Sequence, residues 1–459
     1  VQPISAPSPN GATEIEERAW PFGRTYAWCV VAILAIAYAI SLIDRNFMGL
    51  VIEQIKGDLA LTDPKVGLLL GPAFGMLYVV LGVPFGWLAD RGNRQRIMAA
   101  GMILWCLATA ACGLAPNFPL LMASRLGVGI GEASLSPCAL SLIADYVPPR
   151  SRARAMSLYV LGANLGGAMA YLLGAQVMAF LNAHPLPRLI RLGPEKPWQA
   201  AFIVLGVPGL LIAFLMFAIR EPRAGAARAG TAAKPPSPLQ ALRLMGARWR
   251  AYATVFGAMS AMFVIGYMGL WTSAVFQRSW GWSLERIGLV NGAIILASSP
   301  PGAVFAGWLS DRLTERGRED GAFIALIVGA VIILPSYALY PLAPNGVLAA
   351  VLLFTGLVGQ HIISAAGPVA MFQIAPRQIR GQAISWYYLI LSVSGLLLGP
   401  PAIGFLTAAL GGPSMLRYSI AIVGFVFGVI SVAILAIGWR SYRIAARERA
   451  EDNARDSAG

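Results

Sequence analysis

Twelve stretches of the chain stay apolar for about the thickness of a bilayer, and short charged or turn-rich stretches separate them. Their approximate spans are 26–50, 66–89, 97–115, 119–146, 153–181 and 199–219, then 251–277, 287–309, 321–342, 346–374, 381–409 and 415–439. A helix rising 1.5 Å per residue needs about 20 apolar residues to cross the hydrocarbon, so each stretch predicts one transmembrane helix. The first, fourth, fifth, seventh, tenth and eleventh are long enough to tilt or protrude. Segments 181–198 and 220–250 are the sizeable loops. The second, rich in Ala, Arg, Pro and Gly, reads as a linker. The expected fold is all-α membrane, twelve transmembrane helices in two pseudo-symmetric six-helix bundles. It divides into a tail (1–24, disordered as far as Glu14), a bundle (25–219), the linker (220–250), a bundle (251–439) and a basic tail (440–459).

A repeat supports that division. GWLADR at Gly86–Arg91 closes the second apolar stretch, and GWLSDR at Gly307–Arg312 closes the eighth; five of the six positions agree across 221 residues. A solvated basic loop explains one such copy. Two copies at matching positions point to an internal duplication. In each, the small Gly lets helices approach, Asp90 or Asp311 offers an acceptor, and Arg91 or Arg312 holds the turn at the membrane surface.

Composition changes the picture mainly by exclusion. Hydrophobic residues make up 57% of the chain, charged residues 12%, and the mean hydropathy is +0.67. A soluble protein carries about twice that charge. The net charge of +14 does not call for nucleic acid: of 35 Lys and Arg, 25 fall on the side of the termini, 8 on the other and 2 inside the membrane. This positive-inside pattern puts both termini in the cytosol, with a bacterial inner membrane as the expected location. The basic stretch Trp439–Arg449 is partly amphipathic and is expected to lie on the inner leaflet. The N-terminal residues lack the basic-then-apolar arrangement of a cleaved signal. Cys29, Cys106, Cys112 and Cys138 all lie in apolar stretches without a CxxC partner, and read as small buried hydrophobes. With no catalytic triad, metal-ligand cluster or phosphate loop, the sequence predicts no cofactor, no enzyme and no direct use of ATP.

Four ionisable residues stand inside apolar stretches: Asp44 and Arg45 in the first, Arg125 and Glu132 in the fourth. Each would cost roughly 2.5–3.5 kcal/mol at a bilayer centre, so none should face lipid. Arg125 and Glu132 are two turns apart on one helix face, about 10 Å along it. Asp44 and Arg45 project about 100° apart and cannot share one target. One reading is a structural ion-pair network clamping two helices; the other is a substrate or proton site. In the second half Arg278, Glu285, Arg286, Arg380 and Arg417 sit at segment ends, while Asn291, Gln360 and His361 lie at mid-depth with Tyr267, Trp271, Trp386, Tyr387 and Tyr388. A cavity charged on one wall and aromatic-aliphatic on the other suits an amphipathic solute. Aromatics at helical spacing are also explained by packing, and His361 reads equally as a proton carrier or a core histidine. Asp44 and Glu132 offer a route to proton coupling, because hydration and distance to Arg both alter a carboxylate's hold on a proton. Sodium would need several converging oxygen ligands. Gly127, Gly129 and Gly131 lie mid-membrane and read as helix-contact positions, not a nucleotide loop.

Two halves with GxL[AS]DR after the second helix resemble the major facilitator superfamily across essentially the whole chain. The resemblance implies two bundles around a central cavity that opens alternately to either side. The first copy departs from GxLADRxGRK, with Asn93 in place of the second Gly. D-R-x-N-R at Asp90–Arg94, IDRNFMG at Ile43–Gly49 and SRLGVGIGEASLSP at Ser124–Pro137 resemble the spinster-like branch of sphingolipid and lysolipid transporters. Organic-anion symporters share a similar DR and R…EA, so a small organic anion remains the alternative solute, and a receptor or enzyme on a transporter scaffold a third reading. The resemblance also implies a cytosolic gate of Gly86, Asp90, Arg91, Arg94, Asp145, Asp311 and Arg312. In it Asp90 accepts from the start of the eleventh helix and pairs Arg94, and Asp145 completes the relay. The expected partners of this monomer are an amphipathic small molecule or lipid, protons and membrane lipids.

Overall fold

A computed structural model describes residues 20, 22–184, 196–222 and 238–458. The tail expected to be disordered to Glu14 and residues 223–237 of the linker lie outside these residues. Twelve helical spans are long and apolar enough to cross a membrane, and no strand occurs among the described residues. In the first half they are α1 (Arg24–Leu50), α2 (Asp63–Arg91), α3 (Arg94–Gly113), α4 (Phe118–Tyr146), α5 (Pro149–Ala183) and α6 (Pro197–Met216). The second half holds α7 (Trp249–Trp280), α8 (Leu284–Glu315), α9 (Gly321–Leu342), α10 (Gly346–Ile374), α11 (Arg380–Ala409) and α12 (Pro413–Asp452). An even number of crossings brings the start of α1 and the end of α12 to one face, called the terminal face below.

Three spans are interrupted where the sequence suggested continuous helices. α2 is two pieces, Asp63–Leu70 and Pro72–Arg91, joined at Gly71 with φ −114° and ψ −87°. Pro72 lacks an N–H and so starts a new helix readily. α4 breaks after Glu132, and α7 passes through a 3-10 turn at Gly269–Trp271.

Small residues set how closely helices approach. Gly162 and Gly166 of α5 lie against the backbone of α1, and a Cβ on Gly166 would overlap Ala39 O. Van der Waals contact is a chief attraction between helices in lipid, so lost proximity is costly. Gly166→Val should destabilise by at least the roughly 1–3 kcal/mol of an overpacked core. Gly167→Ala, whose nearest foreign atom would be 3.8 Å away, should be close to neutral. Melting temperatures of the two variants in detergent check the contrast; equal losses would contradict it. Gly129 and Gly131 of α4 make similar approaches to Phe74 O of α2 and Gly101 O of α3.

Two expectations are corrected. Trp439–Arg449 does not lie along the membrane surface but continues α12, because one face of it packs on the second half. Tyr442 stacks on Phe323 at 4.2 Å and donates to Ala370 O at 2.9 Å, and Ala445 and Ala446 are buried. Cys29 is exposed on α1, whereas Cys106, Cys112 and Cys138 are buried; all four are free thiols.

Candidate substrate cavity between the halves

The halves meet most closely away from the terminal face. Gly49 at the end of α1 abuts Leu270 O, and Gly71 and Gly75 of α2 abut Leu396 of α11. Arg278 at the end of α7 crosses the seam, donating to Glu53 at 2.7 and 2.9 Å and to Asp63 at 2.7 Å. Lys56 also donates to Asp63, at 2.6 Å. Trp271 is packed inside the second half and does not line the cavity: it is 0% exposed and its Nε1 donates to Pro400 O of α11 at 3.1 Å. Trp271 closes the 3-10 turn at the α7 break and is held on α11, which helical spacing alone did not foretell.

Beneath the seam lies a cavity of about 320 Å³. The first half contributes Arg45, Asn46, Phe74 and Arg125, and the second Phe263, Tyr267, Asn291, Leu357, Gln360 and Ser364. Of the residues singled out in the sequence, Arg45, Arg125, Tyr267 and Gln360 border this one cavity. Asp44 and Glu132 stand behind the arginines. His361 and Trp386 are not among the lining residues: His361 backs onto α8, where a Cβ on Gly302 would lie 2.7 Å from its own Cβ, and Trp386 packs against the second-half core.

The α1 backbone separates its adjacent charges as expected. Arg45 donates to Glu132 Oε2 from Nε at 2.8 Å and Nη2 at 2.6 Å, and Ser41 Oγ donates to the same oxygen at 2.7 Å. The Arg45 guanidinium also lies 4.3 Å from the centre of Phe74 and 4.5 Å from Tyr78, aromatic faces that favour a cation. Asp44 turns the other way, accepting from Thr109 of α3 and facing Arg125 Nη1 at 3.7 Å. That spacing is an ion pair but too long for a hydrogen bond. Among the described residues Arg125 Nε and Nη1 have no hydrogen-bond partner, although the residue is 2% exposed. Both charged side chains lining the cavity, Arg45 and Arg125, belong to the first half; the opposite wall is apolar, aromatic or neutral-polar.

At the terminal face, Arg94 is fully buried and donates to Ser141 at 2.9 Å and Asp145 at 2.6 Å. Glu221 embraces it from the other side, accepting from its backbone N at 2.8 Å and Nε at 3.1 Å and from Nη2. The expected Asp90–Arg94 pair is thus replaced by Glu221–Arg94, since Arg94 opens α3 and points into the bundle. Glu221 stands at the start of the basic linker and gave no sign of this role there. Asn93, where the general motif has Gly, caps α3 by accepting from Arg96 N at 3.0 Å. Asp90, Asp311 and Arg312 are exposed, and Arg91 stacks over Trp87 at 4.2 Å. A Cβ on Gly86 or Gly307 would meet nothing within 4 Å, so neither glycine serves a close helix approach in this conformation. The halves are joined at the far face while the motif glycines stand apart at the terminal one.

Residues 34–363 and 267–458 match the profile of the Major Facilitator Superfamily. The chain is similar to an MFS-type efflux pump of Mycolicibacterium smegmatis, 25% identical over 413 residues, 89% of this chain and 90% of that protein. It is also similar to protein spinster homolog 1 of Mus musculus, 29% identical over 271 residues; the match covers 57% of this chain and 48% of the relative's length. Among solved structures it resembles a bacterial homolog to the human lysosomal transporter Spinster in an inward-facing and unoccupied conformation. That likeness has a TM-score of 0.76 at 28% identity, covering 94% of this chain and 99% of the other.

Proposed function

Because the chain is a multi-pass integral membrane protein that belongs to the major facilitator superfamily of transporters, we propose that it moves an amphipathic, lipid-like anion, of lysolipid or sphingolipid type, by secondary-active alternating access. The observation that carries this reading is the asymmetric cavity: half-buried Arg45 and buried Arg125 on the first-half wall, the latter with unfilled donors, face an uncharged second-half wall. An anionic head fits the arginines, and an apolar tail fits the other wall. With the seam at one face and the motif glycines apart at the other, the solute leaves or enters through the terminal face. That face is the cytosolic one on the distribution of Lys and Arg.

A second reading has one observation in its favour. A volume of about 320 Å³ lies at the small end of the range of roughly 300–1,000 Å³ for ligand pockets. A small organic anion would fill it alone, whereas a lysolipid would place its head there and extend its tail toward the terminal face. Competition for binding to the purified protein separates the two. A monoacyl glycerol phosphate should displace a fluorescent lysolipid at concentrations at least tenfold below those of butyrate or octanoate, since each buried methylene adds about 0.8 kcal/mol. Equal or better displacement by the short acids would favour the small-anion reading.

Protons are the proposed coupling ion. Asp44 and Glu132 each sit beside one arginine of the cavity wall, so a change of conformation that alters hydration or the Arg–carboxylate distance also alters proton binding. In this proposal the transporter works as a monomer in a bacterial inner membrane, without nucleic acid or cofactor.

A further inference from the structure

The second-half wall carries a buried polar side chain that an anion site does not use. Asn291 of α8 borders the cavity and is 3% exposed. Among the described residues neither its Oδ1 nor its Nδ2 has a hydrogen-bond partner. A carboxamide offers two donors and a two-lone-pair acceptor. Burying all of them unpaired is costly, and folded proteins keep few such groups. Gln360 of α10 borders the same cavity, and its Oε1 is likewise buried without a partner. Its Nε2 lies beside α7 where Gly266 leaves room; a Cβ there would stand 2.9 Å from that nitrogen. Two amides from two helices therefore border a space whose other wall presents guanidinium groups.

We propose that Asn291 and Gln360 form a second recognition subsite, for a hydroxyl or amide group on the same solute whose anionic group is held by Arg45 and Arg125. The inference rests on the reading of the cavity as an anion site. Amides can donate and accept together, which matches a hydroxyl or another amide, and being neutral they have no claim on a second charge. A solute engaging both subsites touches both halves at once and so responds to their movement. A monoacyl glycerol phosphate and a polyhydroxy acid share this chemistry, an anion with a hydroxyl a few bonds away.

Two matched pairs of probes test the subsite on the purified full chain, with affinity read by microcalorimetry. One pair is a monoacyl glycerol phosphate and its analogue lacking the free hydroxyl; the other is gluconate and hexanoate. In at least one pair the hydroxylated member should bind about tenfold tighter or more, and that pair identifies the source of the hydroxyl. Asn291→Leu and Gln360→Leu should each shrink the ratio, and together bring it within about twofold, without weakening the member that lacks hydroxyls. Unliganded Asn291→Leu should melt at or above the wild-type temperature, because a near-isosteric apolar group replaces an unpaired amide. A lower melting temperature would reveal a structural hydrogen bond and overturn the subsite. So would equal binding of both members of each pair by the wild type, or a preference that survives both substitutions; either leaves the anion site standing. Failure of the wild type to bind any of the four probes overturns the anion site and the subsite together.

Discussion

Arg45→Met is expected to lower stability by roughly 3–5 kcal/mol and to abolish solute binding. The damage comes from what stays behind. Glu132, 2% exposed, would keep Ser41 but lose both guanidinium hydrogen bonds, leaving a buried charge unpaired. Replacing the pair as a unit, Arg45→Met with Glu132→Leu, should recover most of that stability, because packed apolar residues can substitute for a buried ion pair at little net cost. Transport by this double variant separates a clamp from a site. A mere clamp predicts wild-type transport; an anion site predicts a stable, inactive protein. Melting in detergent and uptake by reconstituted protein give the two readings side by side.

Arg278→Met should open the seam. Arg278 is the side chain through which the second half grips two first-half carboxylates, Glu53 and Asp63. A hydrogen bond to a charged group contributes roughly 1.5–3 kcal/mol, so losing these should shift the closed-to-open ratio at this face by at least tenfold. Asp63 is 4% exposed and would retain Lys56, which limits the unfolding penalty. Spin labels at the exposed positions 62 and 285, in a cysteine-free background, should report a longer and broader distance in the variant. An unchanged distribution would mean that the glycine contacts of Gly49, Gly71 and Gly75 hold the seam without the charges.

The spans were legible because the bilayer imposes one length and one polarity on every crossing, a constraint strong enough to read by eye. Arg45, Arg125, Asp44 and Glu132 were legible for the converse reason, since charge inside such a span is rare. What escaped was whatever depends on contact between distant segments. Glu53, Asp63 and Arg278 look like ordinary flanking charges, and their pairing spans 215 and 225 residues. Glu221 hid in the same way within the basic linker. Trp271 and Trp386 show the limit of periodicity: it marks a buried helix face but does not tell a cavity wall from packed core. Asn93 looked like a departure from a motif and proves to be a helix cap, a role set by the three residues that follow it.

Reconstituted transport is the most direct test. A fluorescent monoacyl glycerol phosphate is added to proteoliposomes, and the fraction protected from extraction by external albumin is followed with and without an imposed proton gradient. Wild-type protein should move the lipid into protection well above the protein-free rate, at least twofold faster or slower once the gradient is applied, and Arg125→Ala should fall to the protein-free rate. A lipid that stays fully extractable over wild-type protein, in vesicles that accumulate a short organic acid, would contradict the lipid reading; movement untouched by the gradient would contradict proton coupling.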